Sequence, residues 1–293
     1  MKILILGAYG MLGHKLFLTL SKRFDLFATC RIFHKKWSHI LPKERLFADV
    51  HADNFDSVIG AVQSVAPDVV INCIGIVKQL EVAKDPIPSI TINALFPQQL
   101  AAVCRSLGTR LIHFSTDCVF RGNKGSYVED DPSYATDLYG RTKFLGEVNE
   151  PNCVTFRTSI IGHELKSKHG LVDWFLSQKS KGRGFTRAIY TGFPTVELAR
   201  IITDYVIPNR ELSGLYHVSS DPISKYDLLR LVAKQYNKQI EIEPDGDLHC
   251  DRSLDSKRFR TATGYSPPSW EELVTLMHDD FMKIEEEINH GNI

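Results

Sequence analysis

The residues best suited to chemistry lie in the stretch Asp137-Leu-Tyr139-Gly-Arg-Thr-Lys143-Phe-Leu-Gly-Glu147. It reads as the start of a helix, with Asp137 as N-cap and Leu138, Phe144, Leu145 and Val148 forming part of an apolar stripe. Residues four apart lie one turn above each other, so Tyr139 and Lys143 share a face. A phenol has an unperturbed pKa of about 10 and needs help to exchange a proton near neutrality. A neighbouring ammonium favours the phenolate and would lower that pKa, making the pair an acid/base unit. Alone, Tyr-x-x-x-Lys is common on ordinary helices. The surrounding elements must supply the rest of a site.

Those elements alternate. Ile3–Leu6, Asp25–Thr29, Arg45–Asp49, Asp68–Cys73, Arg110–Ser115 and Cys153–Arg157 read as short, largely apolar strands. Met11–Ser21, Phe55–Val65 and Pro88–Leu107 read as helices between them. Strands apolar on both faces imply a parallel sheet covered by helices on each side, an α/β doubly wound (Rossmann-like) fold. Such a sheet binds ligands at the carboxyl ends of its strands.

The first of those ends carries Gly7-Ala-Tyr-Gly10-Met11-Leu12-Gly13, between a strand and a helix. Glycine allows a tight turn and close approach to a diphosphate, and the helix behind it offers free N–H groups and a positive dipole end. A dinucleotide site is expected there. The second strand ends in Cys30-Arg31, with Lys35 and Lys36 following, where an NAD-binding chain would carry an acid. A guanidinium suits a 2′-phosphate, so NADPH is expected, with NADH as the other option should Arg31 only stack on adenine. Asp49 and Val50, at the end of the third strand, are expected at the adenine, Asp49 accepting from its amino group. The Cys73-Ile74-Gly75 backbone should border ribose and diphosphate, with Asn72 inside the sheet end.

Composition bounds the rest. The chain has 293 residues, 43% hydrophobic and 24% charged, which suits one large globular domain or two sharing a core. Formal net charge is zero, so nothing favours nucleic acid or an anionic membrane surface. The opening apolar run is too short for a leader core, and no segment is long enough to span a bilayer. Six cysteines without a Cys-x-x-Cys pair suit reduced thiols in a cytoplasmic protein, and the eleven scattered histidines give no metal site.

From about His163 the alternation fails, and a polar stretch, Lys166-Ser-Lys-His-Gly170, precedes a helix over Leu171–Gln178. Lys179, Lys181, Arg183 and Arg187 follow; they could wall the substrate diphosphate, Arg187 being the best candidate, or be a solvated loop. Lys78 is a further polar candidate. The helix within 194–208 and the strand Leu215–Val218 return the chain to the main sheet, and Ser224–Asn237 is amphipathic. The expected division is a dinucleotide lobe over 1–162 plus 188–218 and a smaller, carboxyl-terminal substrate lobe over 163–187 plus 219–293. Residues from Lys283 to Ile293 read as a solvated helix end and tail.

With the fifth strand the motifs become specific. Ile112-His-Phe-Ser115-Thr116-Asp117-Cys118-Val119-Phe120 and the Tyr139/Lys143 helix resemble the extended short-chain dehydrogenase/reductases, most of all the dTDP-4-dehydrorhamnose reductase family. The resemblance continues in Asn93 of Ile92-Asn-Ala-Leu, Arg157-Thr-Ser159, Gly192-Phe-Pro194-Thr195, Gly214-Leu-Tyr-His217, Arg252-Ser-Leu-Asp255 and Pro268-Ser-Trp270. It implies hydride transfer from NADPH to the 4-keto carbon of a nucleotide-activated 6-deoxyhexose. Tyr139 would supply the proton, Lys143 would lower the tyrosine pKa and bind the nicotinamide ribose, and Thr116 would donate to the carbonyl oxygen. Asn93 and Ser115 join the cofactor-binding residues, while Thr116, Asp117, Cys118, Tyr139 and Arg187 are assigned to the substrate.

The family pattern breaks at three places. Related 4,6-dehydratases carry glutamate at the position of Cys118, and the dehydrorhamnose reductases usually tyrosine. Arg121 stands where they often have aspartate, and Ile160-Ile-Gly-His-Glu164 where tryptophan is common. The resemblance implies dTDP-4-dehydrorhamnose as substrate, giving dTDP-L-rhamnose for a surface polysaccharide such as O-antigen, while the three departures open a UDP-linked 2-acetamido-2,6-dideoxy-4-ulose as the alternative. Two rivals are a sugar-nucleotide epimerase with tightly held NAD and a non-catalytic NADP-binding subunit like that of methionine adenosyltransferase. A monomer or homodimer is expected.

Overall fold

The run Lys2-Ile-Leu-Ile-Leu forms β1 (Lys2–Leu6) at the centre of a sheet because both of its faces are covered. Ile3 and Ile5 enter one apolar core, and Leu4 and Leu6 the other. Burying each such side chain contributes about 1.5–3 kcal/mol. A computed structural model describes residues 1–290. After β1 come α1 (Met11–Leu20), β2 (Asp25–Thr29), β3 (Leu46–Phe47), α2 (Phe55–Val65) and β4 (Val69–Asn72). Next, α3 (Pro86–Ile90) runs through a π turn, Thr91–Leu95, into α4 (Phe96–Ser106), followed by β5 (Arg110–Thr116), α5 (Leu138–Leu145) and β6 (Cys153–Thr158). The chain continues with β7 (Ile160–Ile161), α6 (Leu171–Ser177), β8 (Lys181–Phe185), β9 (Ala188–Tyr190), β10 (Phe193–Pro194), α7 (Thr195–Ile201), β11 (Gly214–His217), β12 (Ile223–Ser224), α8 (Lys225–Gln235), β13 (Glu241–Asp245), β14 (Cys250–Asp251), α9 (Lys257–Thr263) and α10 (Trp270–His290).

The main sheet is parallel throughout, in the order β11-β6-β5-β4-β1-β2-β3. Residues of α1, α7 and α10 cover the face of Ile3 and Ile5; α2 and α4 cover the other. The doubly wound α/β sheet expected from the alternation is therefore present. Strand order reverses between β1 and β4, which puts a ligand crevice beyond their carboxyl ends.

Three expectations change in detail. The third strand stops at Phe47, and Asp49 sits beyond it at φ +60°. The long helix starts at Pro86, because Asp85 caps it through the Ile87 N–H, and contains the π turn. Strand β9, grouped with the main lobe in the sequence reading, pairs with β12 and β14, while β8 pairs with β13. The chain end behaves as expected: α10 buries Leu273, Val274 and Met277 earlier in its length, and from Lys283 to Glu287 it is largely exposed; residues 291–293 lie outside the described residues.

Candidate active site

Two of the three loop glycines are required by the fold itself. Gly7 turns at φ +91°, and a Cβ on Gly13 would lie 2.1 Å from the Gly7 carbonyl oxygen. Gly10 differs: a Cβ there would meet only that same oxygen, at an ordinary 3.5 Å. Its missing side chain leaves the crevice side open. Behind it, α1 begins with no side-chain cap and no acid in its first turn, so the N–H groups of Met11, Leu12 and Gly13 lack a side-chain partner. This cradle fits a diphosphate.

Around it, Arg31 is exposed, with only its backbone carbonyl engaged, by the Asp49 N–H. Asp49 presents an exposed carboxylate that accepts from His51 Nε2 at 3.0 Å, while Val50 is buried and donates its N–H to Cys30. Cys73, Ile74 and Gly75 line the neighbouring edge after β4. Asn72 stays inside, accepting from the Ile74 N–H and contacting His113. Asn93, expected to bind cofactor, spends both polar atoms on the backbone of Ile76, at 2.9 and 3.0 Å. It holds the loop that would touch a cofactor.

The helix that carries Tyr139 and Lys143 is set down by small residues. Asp137 caps α5 by accepting from the Gly140 N–H at 2.8 Å. A Cβ on Gly140 would lie 2.3 Å from the Cys118 carbonyl oxygen, and one on Gly146 1.9 Å from that of Asn93. The expected apolar stripe is not what anchors the helix: Phe144 and Leu145 are exposed, and Val148 is buried beyond its end. Close backbone contact replaces the stripe and brings Tyr139 and Lys143 to the end of β5.

There Lys143 Nζ donates to the Phe114 carbonyl at 2.7 Å, and burial pushes its pKa down to about 8 against the pull of Glu147. The phenol of Tyr139 is held well above its ordinary range, chiefly by burial and also by Cys118 and Asp117, while its hydrogen bond with Thr116 pulls the other way. The expectation that Lys143 depresses Tyr139 is not met. Its ammonium rests on a carbonyl instead, and the phenol stays protonated. Thr116 Oγ1 accepts from the Cys118 N–H at 3.1 Å and donates to Asp117 at 3.2 Å.

Behind these groups lies a buried polar chain. Ser115, expected at the cofactor, donates its hydroxyl to Glu147 at 2.7 Å. Glu147 forms a two-pronged pair with Arg157, at 2.7 and 2.8 Å. Arg157 also contacts His217, which reaches the Tyr127 carbonyl. Arg157 is 3% and Glu147 11% exposed at the side chain, so removing one partner strands a buried charge.

Among the residues expected to meet substrate, burial raises the Cys118 thiol to about 12, so it is no ready base. Arg252 Nη1 stands 3.7 Å from Cys118 Sγ, and its Nε donates to the Phe120 carbonyl at 2.9 Å. The basic wall dissolves. Lys181 pairs with Glu243 and Glu241, and Arg183 with Asp245. Arg187 remains exposed, its backbone carbonyl accepting from Cys250, next to the strand that leads into Arg252. Lys78 is engaged with Asp137 at 2.7 Å.

The family model for the RmlD substrate binding domain matches residues 1–283. The chain belongs to that family. A dTDP-4-dehydrorhamnose reductase of Burkholderia thailandensis is 30% identical over 164 residues, 54% of this chain and 50% of that protein. The chain thus spans about half the length of that relative. The methionine adenosyltransferase 2 subunit beta of Xenopus laevis is 24% identical over 252 residues, 80% of this chain and 72% of that protein. Among solved structures, a dTDP-4-dehydrorhamnose reductase from Bacillus anthracis in complex with NADP superposes with a TM-score of 0.79 at 22% identity, covering 95% of this chain and 99% of that one. A Thermus thermophilus UDP-glucose 4-epimerase complex with NAD gives 0.77 at 18%, covering 96% and 99%. These neighbours share the fold of this family member.

Arg252, beside Cys118, is the candidate site residue that sequence reasoning missed. It lies just over a hundred positions from Tyr139 and is aimed by backbone bridges, Asn123 to Asp251 and Tyr127 to Leu254. Gly122, at φ +87°, makes room beside it: a Cβ there would meet Cys250 Sγ at 2.8 Å and Arg252 Cγ at 3.0 Å. The available signal was the Arg-Ser-Leu-Asp motif and the glycines Gly122 and Gly125 opposite it.

Proposed function

We propose that this protein is an NADPH-dependent reductase of a nucleotide-activated 4-keto-6-deoxyhexose. The observation that carries the reading is Tyr139, held protonated beside Thr116 with Lys143 one turn away, at the end of β5. A reduction needs a proton donor at the nascent alkoxide, and a phenol kept above its usual range is in the right state. Dehydration would need a carboxylate where Cys118 stands. The open Gly10, the uncapped start of α1 and the exposed Arg31 suit the diphosphate and 2′-phosphate of NADPH.

In this reading the bound nicotinamide supplies hydride to the sugar carbonyl carbon. Tyr139 passes its phenolic proton to the carbonyl oxygen as charge builds there, and Thr116 Oγ1 turns its proton from Asp117 to that oxygen. Lys143, Gly7–Gly13, Arg31, Asp49, Val50 and the 73–75 backbone hold the cofactor, with Asn93 and Ser115 fixing those segments from behind. Asp117, Cys118, Arg187 and Arg252 face the sugar nucleotide. The proposed division is a dinucleotide lobe around the parallel sheet and a substrate lobe around β8, β12, β13 and β14. Among the described residues no helix is long and apolar enough to cross a membrane.

The curated relatives named as reductases support dTDP-4-dehydrorhamnose as first substrate, and the narrow Cys118 with a donor-only Arg252 beside it keeps the UDP-linked 2-acetamido sugar as the alternative. The second reading, a non-catalytic subunit, is supported by the length of the match to methionine adenosyltransferase 2 subunit beta. The test is NADPH oxidation with dTDP- and UDP-4-keto-6-deoxy sugars, with the product identified by NMR. Turnover of one class names the substrate. Silence with every sugar, together with copurification of a synthetase, would replace the proposal by the second reading; NAD(H) carried through gel filtration would replace it by an epimerase.

A further inference from the structure

Positive charge gathers without a counter-ion at the carboxyl end of β2. Arg31, Lys35 and Lys36 follow that strand, and the loop after β7 brings Lys166 to the same place. None of the four forms an ion pair among the described residues. Lys166 Nζ donates to His34 Nε2 at 2.7 Å and stands 4.4 Å from the centre of the Tyr9 ring and 5.8 Å from that of Trp37. Burial and the field of Arg31 lower its pKa. Burial and Lys166 likewise lower that of His34, which keeps the imidazole a neutral acceptor. Two cations held near each other repel, and the arrangement becomes favourable once an anion sits between them.

The loop that carries Lys166 is built, not slack. His163 is gripped by Asp173 at 2.5 Å and Tyr236 at 2.8 Å and stacks on Phe281. Glu164 accepts from the N–H groups of His169 and Gly170, closing the loop on itself. Gly170 lies against the first residue of α1, so close that a Cβ would be 2.8 Å from Met11 Cε. The loop therefore touches the glycine turn at Tyr9 and Met11 and the segment after β2 at His34 and Trp37.

We infer that Lys166 is the second half of a phosphate-reading site: with Arg31 it grips the 2′-phosphate of the dinucleotide, and loop 163–170 is the strap that holds it in place. The inference rests on the cofactor reading above. His34 and the Tyr9 ring hold the ammonium from two sides, which leaves N–H bonds free for phosphate oxygens. The like-charge cost of Arg31 beside Lys166 is then offset by a dianion that NAD lacks.

Binding of 2′,5′-ADP and of 5′-ADP to the full chain, measured by titration calorimetry, separates the two claims. The unaltered protein should bind 2′,5′-ADP at least ten times more tightly. Lys166→Met should lose about tenfold for 2′,5′-ADP and hold 5′-ADP within about twofold, the scale of one charge-assisted hydrogen bond. Lys166→Arg should keep the preference. If the unaltered protein does not distinguish the nucleotides, the NADPH reading itself fails. If it does and Lys166→Met keeps the full preference, Arg31 reads the phosphate alone and the strap is overturned. An equal loss for both nucleotides in a variant with unchanged thermal unfolding also overturns it, because Lys166 would then serve the diphosphate.

Discussion

The two ends of the crevice are made of different material. At the dinucleotide end the geometry is backbone: a glycine at φ +91°, another that admits α1 to within contact of the turn, and a row of N–H groups. At the end proposed for the sugar it is side chain: Cys118, Arg187 and Arg252, from three distant segments held by bridges and close glycine contacts. Between them stands Tyr139, on a helix docked by two glycines. Backbone devices serve any dinucleotide enzyme of the fold, whereas side-chain devices can be exchanged without touching the frame. The reductase and epimerase neighbours share this frame.

The sharpest break in this comparison is at the hinge between the ends. Tyr139→Phe should lower kcat by about 10²- to 10⁴-fold, the usual contribution of a general acid. Titration with NADPH should show binding nearly unchanged. Retention of most of the rate would remove Tyr139 as the proton donor. Close behind comes the buried pair that supports both ends: Arg157→Met leaves Glu147 uncompensated and should cost about 3–5 kcal/mol in denaturant unfolding. A loss under 1 kcal/mol would mean that Glu147 finds solvent or a new partner.

The same contrast decides what the sequence reveals. Strands and helices of the main sheet are legible because their apolar periodicity is local, and the glycine loop because its spacing lies within seven residues. Tyr139 and Lys143 are legible as a motif, but their anchoring is not: the stripe of Phe144 and Leu145 is exposed, and Gly140 and Gly146 do the docking. Ser115 and Asn93 look like cofactor ligands in one dimension, and only in three dimensions do Glu147 and the Ile76 backbone claim them. Lys181 and Arg183 read as a wall until β13 supplies Glu243 and Asp245. Partners far apart in the chain are what a pattern cannot supply.

Glycine substitutions can sharpen the backbone side. Gly13→Ala puts a methyl group 2.1 Å from the Gly7 carbonyl oxygen and should cost about 1–3 kcal/mol of stability, read by denaturant unfolding. Gly10→Ala meets ordinary contact distance and should unfold normally while weakening NADPH binding. If both variants unfold alike, the division of labour between them is wrong. On the side-chain end, Arg252→Gln should raise the KM for the sugar nucleotide about tenfold and leave that for NADPH unchanged. An equal change in both KM values would make Arg252 a structural strut.

The mildest effect is a pH profile, and its sign discriminates. Lys143 titrates at about 8 in the folded chain, while Tyr139 stays protonated well above its ordinary range. Cofactor affinity supported by the ammonium should therefore fall as pH rises through 8, with the proton donor still intact. Folding responds in the opposite direction. Because the folded pKa lies below the ordinary 10.5, the unfolded chain binds more protons between about 8 and 10.5. The penalty for burying the charged amine is full below that window and disappears as pH rises through it, so this residue's contribution to stability rises. Comparing thermal unfolding of the protein and of Lys143→Met across the window isolates that contribution. A binding loss that tracks a stability loss, with no difference from Lys143→Met, would assign the alkaline limb to general unfolding instead of to Lys143.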